Sequence, residues 1–344
     1  MTSPSSFVTR EATVPCRVNL IGEWIDFNGG TVLPMALAPS ATVQITANGT
    51  GLDCIKSTHF AMSQNFAIDA PAQDHWSDYV RGALQYARGR HWIESGQDVS
   101  VDSTIPVGAG LSSSAAIIIA TLKAASIGLA DLDGEALAFA AKDIENTFIG
   151  VPCGIMDQMA VALGTPGTVL ALDTRDCSYS LLDLPQTWSI VVVHSGVRRA
   201  LSDGRYRVRR DQCLEAAAAL GVDYLCDASL LSIDALEEPL VNRARHATSE
   251  AARSRDAIAA LRTGDRSRFG RLMNESHDSL RDDMEVSVPD IDQLVCDAVS
   301  LGADGARITG AGFGGCIVAL VEPERMEDWW SALKLRHPSI ERVV

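Results

Sequence analysis

The sequence predicts an α/β protein built from two domains. Segments with the alternating polar and apolar positions of strands are interspersed with Ala-, Ile- and Leu-rich segments of helical spacing. The chain has 344 residues, 47% of them hydrophobic, which is long for one domain and comfortable for two. Polar residues and Pro185 separate two strand-like runs between Asp173 and Thr187, so we place a boundary there, giving domains of residues 1–185 and 186–344.

The individual elements follow from the same patterns. The predicted strands are Val8–Leu20, Ala41–Ala47, Val99–Ile105, Thr168–Leu172, Ser189–His194 and Cys316–Val321. The predicted helices are Ser113–Leu129, Gly134–Phe148, which stops at Gly150, and Arg207–Leu220. The polar region Asn242–Arg268 has the alanine spacing of an exposed helix.

The charge and the cysteines limit the functional classes. A net charge of -15 and a pI near 4.8 argue against nucleic acid or anionic membranes as partners, because a negative field repels phosphate groups. We expect a cytoplasmic protein, since Met1–Phe7 lacks a secretory signal and no apolar run reaches the roughly 18 residues of a membrane span. The eight cysteines show no metal-binding spacing, so we expect reduced thiols.

A glycine- and serine-rich loop is the first candidate for phosphate binding. PVGAGLSSSAA (residues 106–116) follows a predicted strand and opens a predicted helix, an arrangement that presents backbone N–H groups and a positive helix dipole to an anion. Gly108 and Gly110 allow close backbone approach, and the hydroxyls of Ser112, Ser113 and Ser114 can cap the helix or reach a phosphate or a magnesium ion. The alternative is a plain capped helix. The lysine of the Walker pattern is absent, so this is not a P-loop.

A second candidate is the acidic segment RVNLIGEWIDFNGG (residues 17–30), which contains Arg17, Glu23 and Asp26. Two acids in a loop after a strand are by themselves more often solvated than functional. The segment resembles the signature of the galactokinase family, whose usual form reads GRVNLIGEHTDYNGG, within the GHMP kinase superfamily. Residues 106–116 resemble the second superfamily motif and ITGAGFGGC (residues 308–316) the third.

The resemblance extends over nearly the whole chain in family order. GVPCGIMDQ (residues 150–158) is similar to the galactokinase segment that carries the catalytic aspartate, and residues 273–283 also resemble a galactokinase stretch. The resemblance implies a two-domain GHMP kinase fold, with an N-terminal domain like the second domain of ribosomal protein S5 and a C-terminal α/β domain. It further implies an ATP-dependent sugar 1-kinase, with ATP and a galactose-like monosaccharide as partners, and we expect a monomer or weak dimer.

The family also implies roles for individual residues in catalysis and metal binding. By resemblance, Asp157 takes or orients the proton of the anomeric hydroxyl, and Arg17 beside it neutralises charge on the transferred phosphoryl group. A magnesium ion on the ATP phosphates is expected, with Glu145 and either Ser114 or Ser113 as its ligands. From the residues alone, Asp157 reads equally well as an acid at a helix start, and Glu145 as a surface acid.

Further positions match the family's binding residues. Asp26 corresponds to the acid that grips the ring hydroxyls, and Glu23, Trp24, Gly154 and Tyr206 fall at sugar-binding positions. Trp76 corresponds to a position near the adenine, where an aromatic ring can stack, although core packing explains it almost as well. The arginines around Tyr206 are more typical of a solvent-exposed helix face than of a binding site.

The signature departs from the family at three positions. Trp24, Ile25 and Phe27 stand where galactokinases usually carry His, Thr and Tyr. In the family the position of Trp24 lies toward the C6 end of the sugar, so recognition of a 6-hydroxyl is in doubt. L-arabinose or a C6-modified galactose is therefore an alternative substrate, and a homoserine or mevalonate kinase or a non-catalytic galactose sensor are the remaining alternatives.

Overall fold

The computed structural model describes residues 8–128, 132–197 and 204–344. Met1–Phe7 and Leu129, on which the predictions about a signal sequence and a helix end rest, lie outside the described residues. The chain divides into two compact units. The described parts of the first unit belong to residues 8–17, Ala36–Ile105 and Ser112–Gly164, and those of the second to Val18–Met35, Pro106–Leu111 and Thr165–Val344. The predicted domain boundary at residue 185 stays a prediction.

The strands and helices of the described residues follow one another in groups along the chain, rather than in the regular alternation that the sequence patterns predict. The strands are β1 (Arg10–Asn19), β2 (Thr31–Val32), β3 (Pro34–Ala47), β4 (Leu52–Ser57), β5 (Phe60–Ala67), β6 (Gln97–Ser103), β7 (Thr168–Asp173), β8 (Tyr179–Asp183), β9 (Ser189–His194), β10 (Gly305–Ile308), β11 (Cys316–Val321) and β12 (Glu341–Arg342). The α-helices are α1 (Asp78–Gly89), α2 (Ser113–Ser126), α3 (Gly134–Asp143), α4 (Met156–Leu163), α5 (Arg205–Leu220), α6 (Leu230–Ile233), α7 (Leu240–Thr263), α8 (Arg266–Asp282), α9 (Pro289–Ser300) and α10 (Met326–Arg336).

The described residues of the first unit combine a sheet with the helices α1 to α4. β1 pairs with β3, β3 runs antiparallel to β6, β6 parallel to β4, and β4 antiparallel to β5. Helix α2 packs against α1, α3 and α4. Most residues of α2 are buried, among them Ala115, Leu122 and Ala125. The Ala- and Ile-rich sequence of this helix is apolar on nearly every side, which is typical of a helix surrounded by other elements.

A π-helical segment, Ile144–Ile149, follows α3 directly. The sequence predicted one continuous helix from Gly134 to Phe148, and the start and the stop at Gly150 are confirmed. Asp133 caps the start by accepting a hydrogen bond from the Ala136 amide at 2.7 Å, and Gly150 ends it with φ +78. The wider turns of the last six residues could not be read from the spacing of apolar residues, and π-turns are frequent at functional sites.

The described residues of the second unit form antiparallel strand pairs and the helices α5 to α10. β7 pairs with β2 and with β8, and a separate sheet has the order β10-β11-β9-β12. β10 and β11 form an antiparallel pair in which Ile308 faces Ile317, and the glycine-rich stretch 310–315 connects them. The central strand β11 is buried along its whole length.

Helices α7 and α8 differ from the sequence expectation. The region Asn242–Arg268 was expected to be one exposed helix, but it belongs to two helices divided at Gly264, which has φ +67. Arg243, His246 and Glu250 on α7 are buried. Their charged and polar character suggests exposure when the sequence is read alone, whereas in the fold they have hydrogen-bonding partners.

Two predictions about composition also have an outcome. The eight cysteines all lie in described residues and none of them forms a disulfide bond, which agrees with the expectation of reduced thiols. Among the described residues, no helix has the length and apolar character that crossing a membrane would need.

Helix α8 and strand β10 approach so closely that only glycine fits between them. A Cβ on Gly305 would lie 2.2 Å from the carbonyl oxygen of Gly270. We therefore expect Gly305→Ala to lower the free energy of unfolding by roughly 1–3 kcal/mol, measured by denaturant or thermal unfolding. The control is Gly89→Ala, at the end of α1, where a Cβ meets no atom within 4 Å and the change should stay under about 1 kcal/mol. Equal stability of the two variants would contradict this packing.

Candidate functional site

An ion pair between Arg17 on β1 and Asp157 in the first turn of α4 lies in the first unit. Arg17 donates from Nε and from Nη2 to the same oxygen, Oδ1 of Asp157, at 2.9 and 2.5 Å. The Arg17 side chain is 4% exposed, whereas that of Asp157 is 34% exposed. Within the described part of the chain no residue donates to Oδ2, so one oxygen of this oriented carboxylate remains available to a ligand.

Glu145 lies buried beside this pair on the π-helical segment. Its carboxylate accepts a hydrogen bond from Gln158 Nε2, and a further one from the hydroxyl of Ser114. Burial raises the pKa of Glu145, the hydrogen bond from Ser114 opposes the rise, and the charge of Asp157 adds to it. The carboxylate therefore lies in surroundings that disfavour its charge.

The same groups fit a magnesium ion. Carboxylate and hydroxyl oxygens are the hard donors that magnesium prefers, and Glu145 and Ser114 supply one of each in direct contact. A divalent cation would also relieve the proximity of two carboxylates, since Asp157 acts electrostatically on Glu145. Among the described residues, no group of three or more His, Cys, Asp or Glu side chains converges as a metal site.

The glycine- and serine-rich loop has the backbone of an anion-binding turn. Gly108 and Gly110 have φ values of +77 and +76, and Ser112 is left-handed at φ 58. Ser112 stands at the N-cap of α2 but makes no capping hydrogen bond, and its buried Oγ has no partner in the described residues. The alternative of a plain capped helix loses its main support, because the capping serine does not cap.

Trp76 lies elsewhere in the first unit, just before α1. Its ring stacks on Phe60 with a centroid distance of 5.0 Å and an interplanar angle of 11°. His75 contacts it at 5.7 Å with tilted rings. One face of the indole is thus covered by Phe60, and its assignment to an adenine site stays a prediction.

In the second unit, Glu23 is anchored on the strand-to-strand connection that follows β10. Its Oε1 accepts hydrogen bonds from Thr309 Oγ1 at 2.9 Å and from the Gly310 amide at 2.6 Å, and it pairs with Arg307 at 3.2 Å. Glu23 is 3% exposed and Arg307 is fully buried. One carboxylate oxygen of Glu23 therefore has a structural role. The glycine-rich stretch takes part in it, because the Gly310 amide is one of the donors to this oxygen.

Trp24 is held in an unusual conformation next to this anchor. Its φ is 66, a left-handed backbone that costs a bulky residue on the order of 1–3 kcal/mol. Asn28 Nδ2 donates to the Trp24 carbonyl at 2.7 Å. The indole is 4% exposed, lies 4.8 Å from the Tyr206 ring and 6.2 Å from the Phe27 ring, and its Nε1 has no hydrogen-bond partner in the described residues.

The remaining predicted positions are distributed between the units. Asp26 is half-buried two residues after Trp24, and Tyr206 is half-buried in the first turn of α5. Gly154 is buried two residues before α4 in the first unit. The structure thus brings Arg17, Asp157, Glu145 and Ser114 together in one cluster, and Glu23, Trp24 and Tyr206 in another.

Two buried residues of α7 that the sequence did not reveal also contact the segment around Glu23. Glu250 Oε1 accepts the Gly22 amide at 2.8 Å, and His246 Nε2 donates to the Glu23 carbonyl at 3.0 Å. His246 Nδ1 lies 2.9 Å from Ser279 Oγ. A polar helix sequence gave no sign that these residues are buried. Arg307, by contrast, could have been noticed as a charge inside an apolar strand.

The family comparisons agree with the motifs. Residues 78–165 match the GHMP kinases N terminal domain, residues 257–337 match the GHMP kinases C terminal domain, and residues 7–47 match the galactokinase galactose-binding signature. The first match includes the serine loop, Glu145 and Asp157, and the third includes Arg17, Glu23 and Trp24.

Individual relatives point the same way. A galactokinase from Roseiflexus sp. (strain RS-1) is 42% identical over 326 residues, which is 91% of this chain and 83% of that protein. The crystal structure of Lactococcus lactis galactokinase complexed with galactose matches with a TM-score of 0.90 and 29% identity, covering 97% of this chain and 92% of that one. Methanococcus jannaschii mevalonate kinase shares the fold, at a TM-score of 0.72 and 19% identity over 99% and 98% of the two chains.

The burial of His246 predicts a loss of stability in mild acid. Burial lowers the pKa of His246 from 6.5 to about 4, so the fold favours the neutral ring. This contribution is complete above pH 6.5 and is lost as the pH falls from 6.5 to about 4, at a cost of up to about 3 kcal/mol. Burial lowers the pKa of His277 to about 4 as well, so it acts in the same range.

The measurement is the free energy of unfolding at several pH values between 7 and 4.5. His246→Gln should flatten the pH dependence, because the replacement cannot take up a proton. Exposed His59→Gln is the matched control and should leave the slope as in the wild type. An unchanged slope in His246→Gln would show that this histidine is not held neutral.

Proposed function

Because the chain belongs to the galactokinase family of the GHMP kinases, we propose that it transfers the γ-phosphoryl group of ATP to the anomeric hydroxyl of galactose or a galactose-like sugar. The observation that carries this proposal is the Arg17–Asp157 pair, in which two guanidinium donors fix one carboxylate oxygen and leave the other available. A carboxylate held in this way can accept or orient the proton of an attacking hydroxyl.

In the first unit we assign the phosphoryl-transfer chemistry to four side chains. Asp157 accepts or orients the proton of the anomeric hydroxyl, and Arg17 neutralises charge on the transferred group. Glu145 and Ser114 would hold a magnesium ion, which when bound neutralises charge on the ATP phosphates. Gln158 keeps the Glu145 carboxylate in place by donating to it.

Nucleotide binding is assigned to the serine loop. Gly108 and Gly110 have the positive φ that a close backbone approach to phosphates requires, and the α2 N-terminus lacks a side-chain cap. The hydroxyl of Ser112, which has no hydrogen-bond partner in the described residues, and that of Ser113 would donate further hydrogen bonds to phosphate oxygens. Trp76 remains the candidate for contact with the adenine.

In the second unit we assign sugar recognition to the segment that follows β1. Asp26 would hold the ring hydroxyls, and Trp24 and Tyr206 would form an aromatic wall. Gly154 stays a predicted sugar-binding residue on the family resemblance alone. Glu23 contributes through its position, since its Oε1 already accepts two hydrogen bonds and forms an ion pair with Arg307. A monomer or weak dimer in the cytoplasm remains our prediction for this enzyme.

The structure of Trp24 favours one alternative substrate class. Its ring fills space next to Tyr206, and its Nε1 is an unsatisfied buried donor. A pocket of this kind differs from one built with histidine, both in bulk and in the hydrogen bond it can offer. L-arabinose or a C6-modified galactose therefore remains a candidate substrate beside galactose.

The first experiment concerns Asp157. We expect Asp157→Ala and Asp157→Asn to reduce kcat by about 10²–10⁴-fold, because proton handling or orientation is lost while little packing changes. ADP release with galactose provides the measurement, and thermal unfolding confirms the fold. Asp69→Asn, an exposed acid of the same unit, should retain full activity. A folded Asp157→Ala protein with wild-type kcat would refute the assignment, and a wild type inactive on every sugar would refute the function.

Glu145 is tested through the metal requirement. We expect Glu145→Ala to raise the magnesium concentration for half-maximal activity by about tenfold or more, because a direct ligand is removed. Glu135→Ala on the exposed face of α3 is the matched control. A magnesium titration that Glu145→Ala leaves unchanged would place the ion elsewhere.

Trp24 is tested through sugar specificity. With a panel of D-galactose, L-arabinose, D-galacturonate and N-acetylgalactosamine, we expect L-arabinose or a C6-modified galactose to be used comparably to galactose or better. An apolar wall discriminates by only about 1–3 kcal/mol per methylene-sized change. Trp24→His should shift the ratio of kcat/KM for galactose over L-arabinose toward galactose. A strong wild-type preference for galactose that Trp24→His does not alter would exclude this role.

A further inference from the structure

The segment Gly22–Trp24 is held from several sides by groups outside the proposed chemistry. The Glu23 carboxylate accepts hydrogen bonds from Thr309 and from the Gly310 amide, and it forms an ion pair with Arg307. The backbone of the segment, by contrast, is bound from α7. Glu250 receives the Gly22 amide and His246 donates to the Glu23 carbonyl.

His246 and Glu250 lie on the same face of α7, and both bind the backbone of the segment. They are four residues apart, which places their side chains one above the other on the same side of the helix. Both are fully buried. Fully buried ionisable side chains are rare unless they have partners, and the partners of these two include consecutive backbone groups of the segment.

Each of the two side chains is itself held in place. Glu250 Oε1 also accepts from Ser276 Oγ at 2.8 Å, and its Oε2 accepts from Arg253 Nε at 2.7 Å. The Ser279 hydroxyl lies 2.9 Å from His246 Nδ1 and 2.8 Å from Asp283 Oδ2. Two serines of α8 therefore hold in place the His246 and Glu250 side chains, which in turn bind the backbone of Gly22–Trp24.

The residue that follows these contacts needs such support. Trp24 has φ 66, a conformation that glycine adopts freely and tryptophan does not, and such conformations persist where the surroundings fix them. The Glu23 carbonyl, which His246 binds, belongs to the peptide unit that leads into Trp24. Loss of this hydrogen bond would allow that peptide to rotate and the indole to leave its place beside Tyr206.

We propose that His246 and Glu250 are positioning residues that fix the Gly22–Trp24 backbone and thereby set the affinity and selectivity for the sugar. The inference rests on the proposed sugar kinase function. Neither side chain takes part in phosphoryl transfer, so their contribution lies in sugar binding, and ATP binding is independent of them.

The test measures kcat, the KM for the sugar and the KM for ATP in His246→Leu and Glu250→Leu. We expect the sugar KM to rise about tenfold or more, because displaced binding groups reduce affinity steeply, while the KM for ATP stays within about threefold. His246→Gln and Glu250→Gln keep a donor or an acceptor at the same place and should recover most of the sugar affinity. Sugar binding is followed independently, without ATP, as the rise in Tm on adding galactose.

A double-mutant comparison separates positioning from general destabilisation. Glycine adopts φ 66 without strain, so in a Trp24→Gly background the added effect of His246→Leu on the sugar KM should be smaller than in the wild type. Trp329→Leu, which removes a buried side chain between α10 and α9, is the stability control and should lower Tm without changing the sugar KM.

The outcomes are distinct from those of the proposed function. A wild type inactive on all four sugars of the panel would refute the function itself. An active wild type with an unchanged sugar KM in folded His246→Leu and Glu250→Leu would overturn the positioning role. Parallel rises in the KM of sugar and ATP, or equal effects of His246→Leu with and without Trp24→Gly, would also overturn it.

Discussion

One carboxylate oxygen, Oε1 of Glu23, joins two segments of the second unit that are far apart in sequence. Thr309, Gly310 and Arg307 all bind this atom, so the segment after β1 and the connection after β10 share one anchor. A buried charge is costly unless it is paired and hydrogen-bonded, and here the pairing is fulfilled only when both segments adopt their folded shapes. Gly310, whose amide binds the carboxylate, has a positive φ of 77. The anchor also fixes the start of the strained Trp24 conformation.

The cluster of Arg17, Asp157, Glu145 and Ser114 in the first unit, to which we assign the chemistry, has a different charge balance. Arg17 and Asp157 compensate each other, whereas Glu145 is buried near a second carboxylate and has no ion-pair partner among the described residues. Its neighbours Ser114 and Gln158 provide hydrogen bonds and no positive charge. Such surroundings are unfavourable for a carboxylate alone and favourable for one that binds a divalent ion. The π-helical segment therefore holds Glu145 in surroundings that disfavour its charge, and π-helical turns are frequent at functional sites.

Local features could be predicted from the sequence, and long-range partners could not. The mixed fold, the strands Ser189–His194 and Cys316–Val321, the helix that carries Asp157 and the motif residues all follow from patterns within about fifteen residues. The roles of His246 and Glu250 depend on contacts with residues more than 220 positions away. Nothing near them in sequence distinguishes a buried hydrogen-bonded histidine from a solvated one. The π-helical segment Ile144–Ile149 could not be predicted for a related reason, because a π-helix differs from an α-helix in its hydrogen-bond pattern and not in its composition.

The contrast between buried ion pairs and a strongly acidic surface has a consequence for ionic strength. The pairs Arg307–Glu23 and Arg81–Asp78 are almost inaccessible to solvent, so dissolved ions screen them little. The net charge of -15, however, is carried largely by exposed carboxylates that repel one another. Exposed pairs such as Arg281–Asp278 contribute little to begin with. Added salt should therefore weaken mainly the repulsion, and we expect this protein to gain stability as the salt concentration rises from low values to the physiological range.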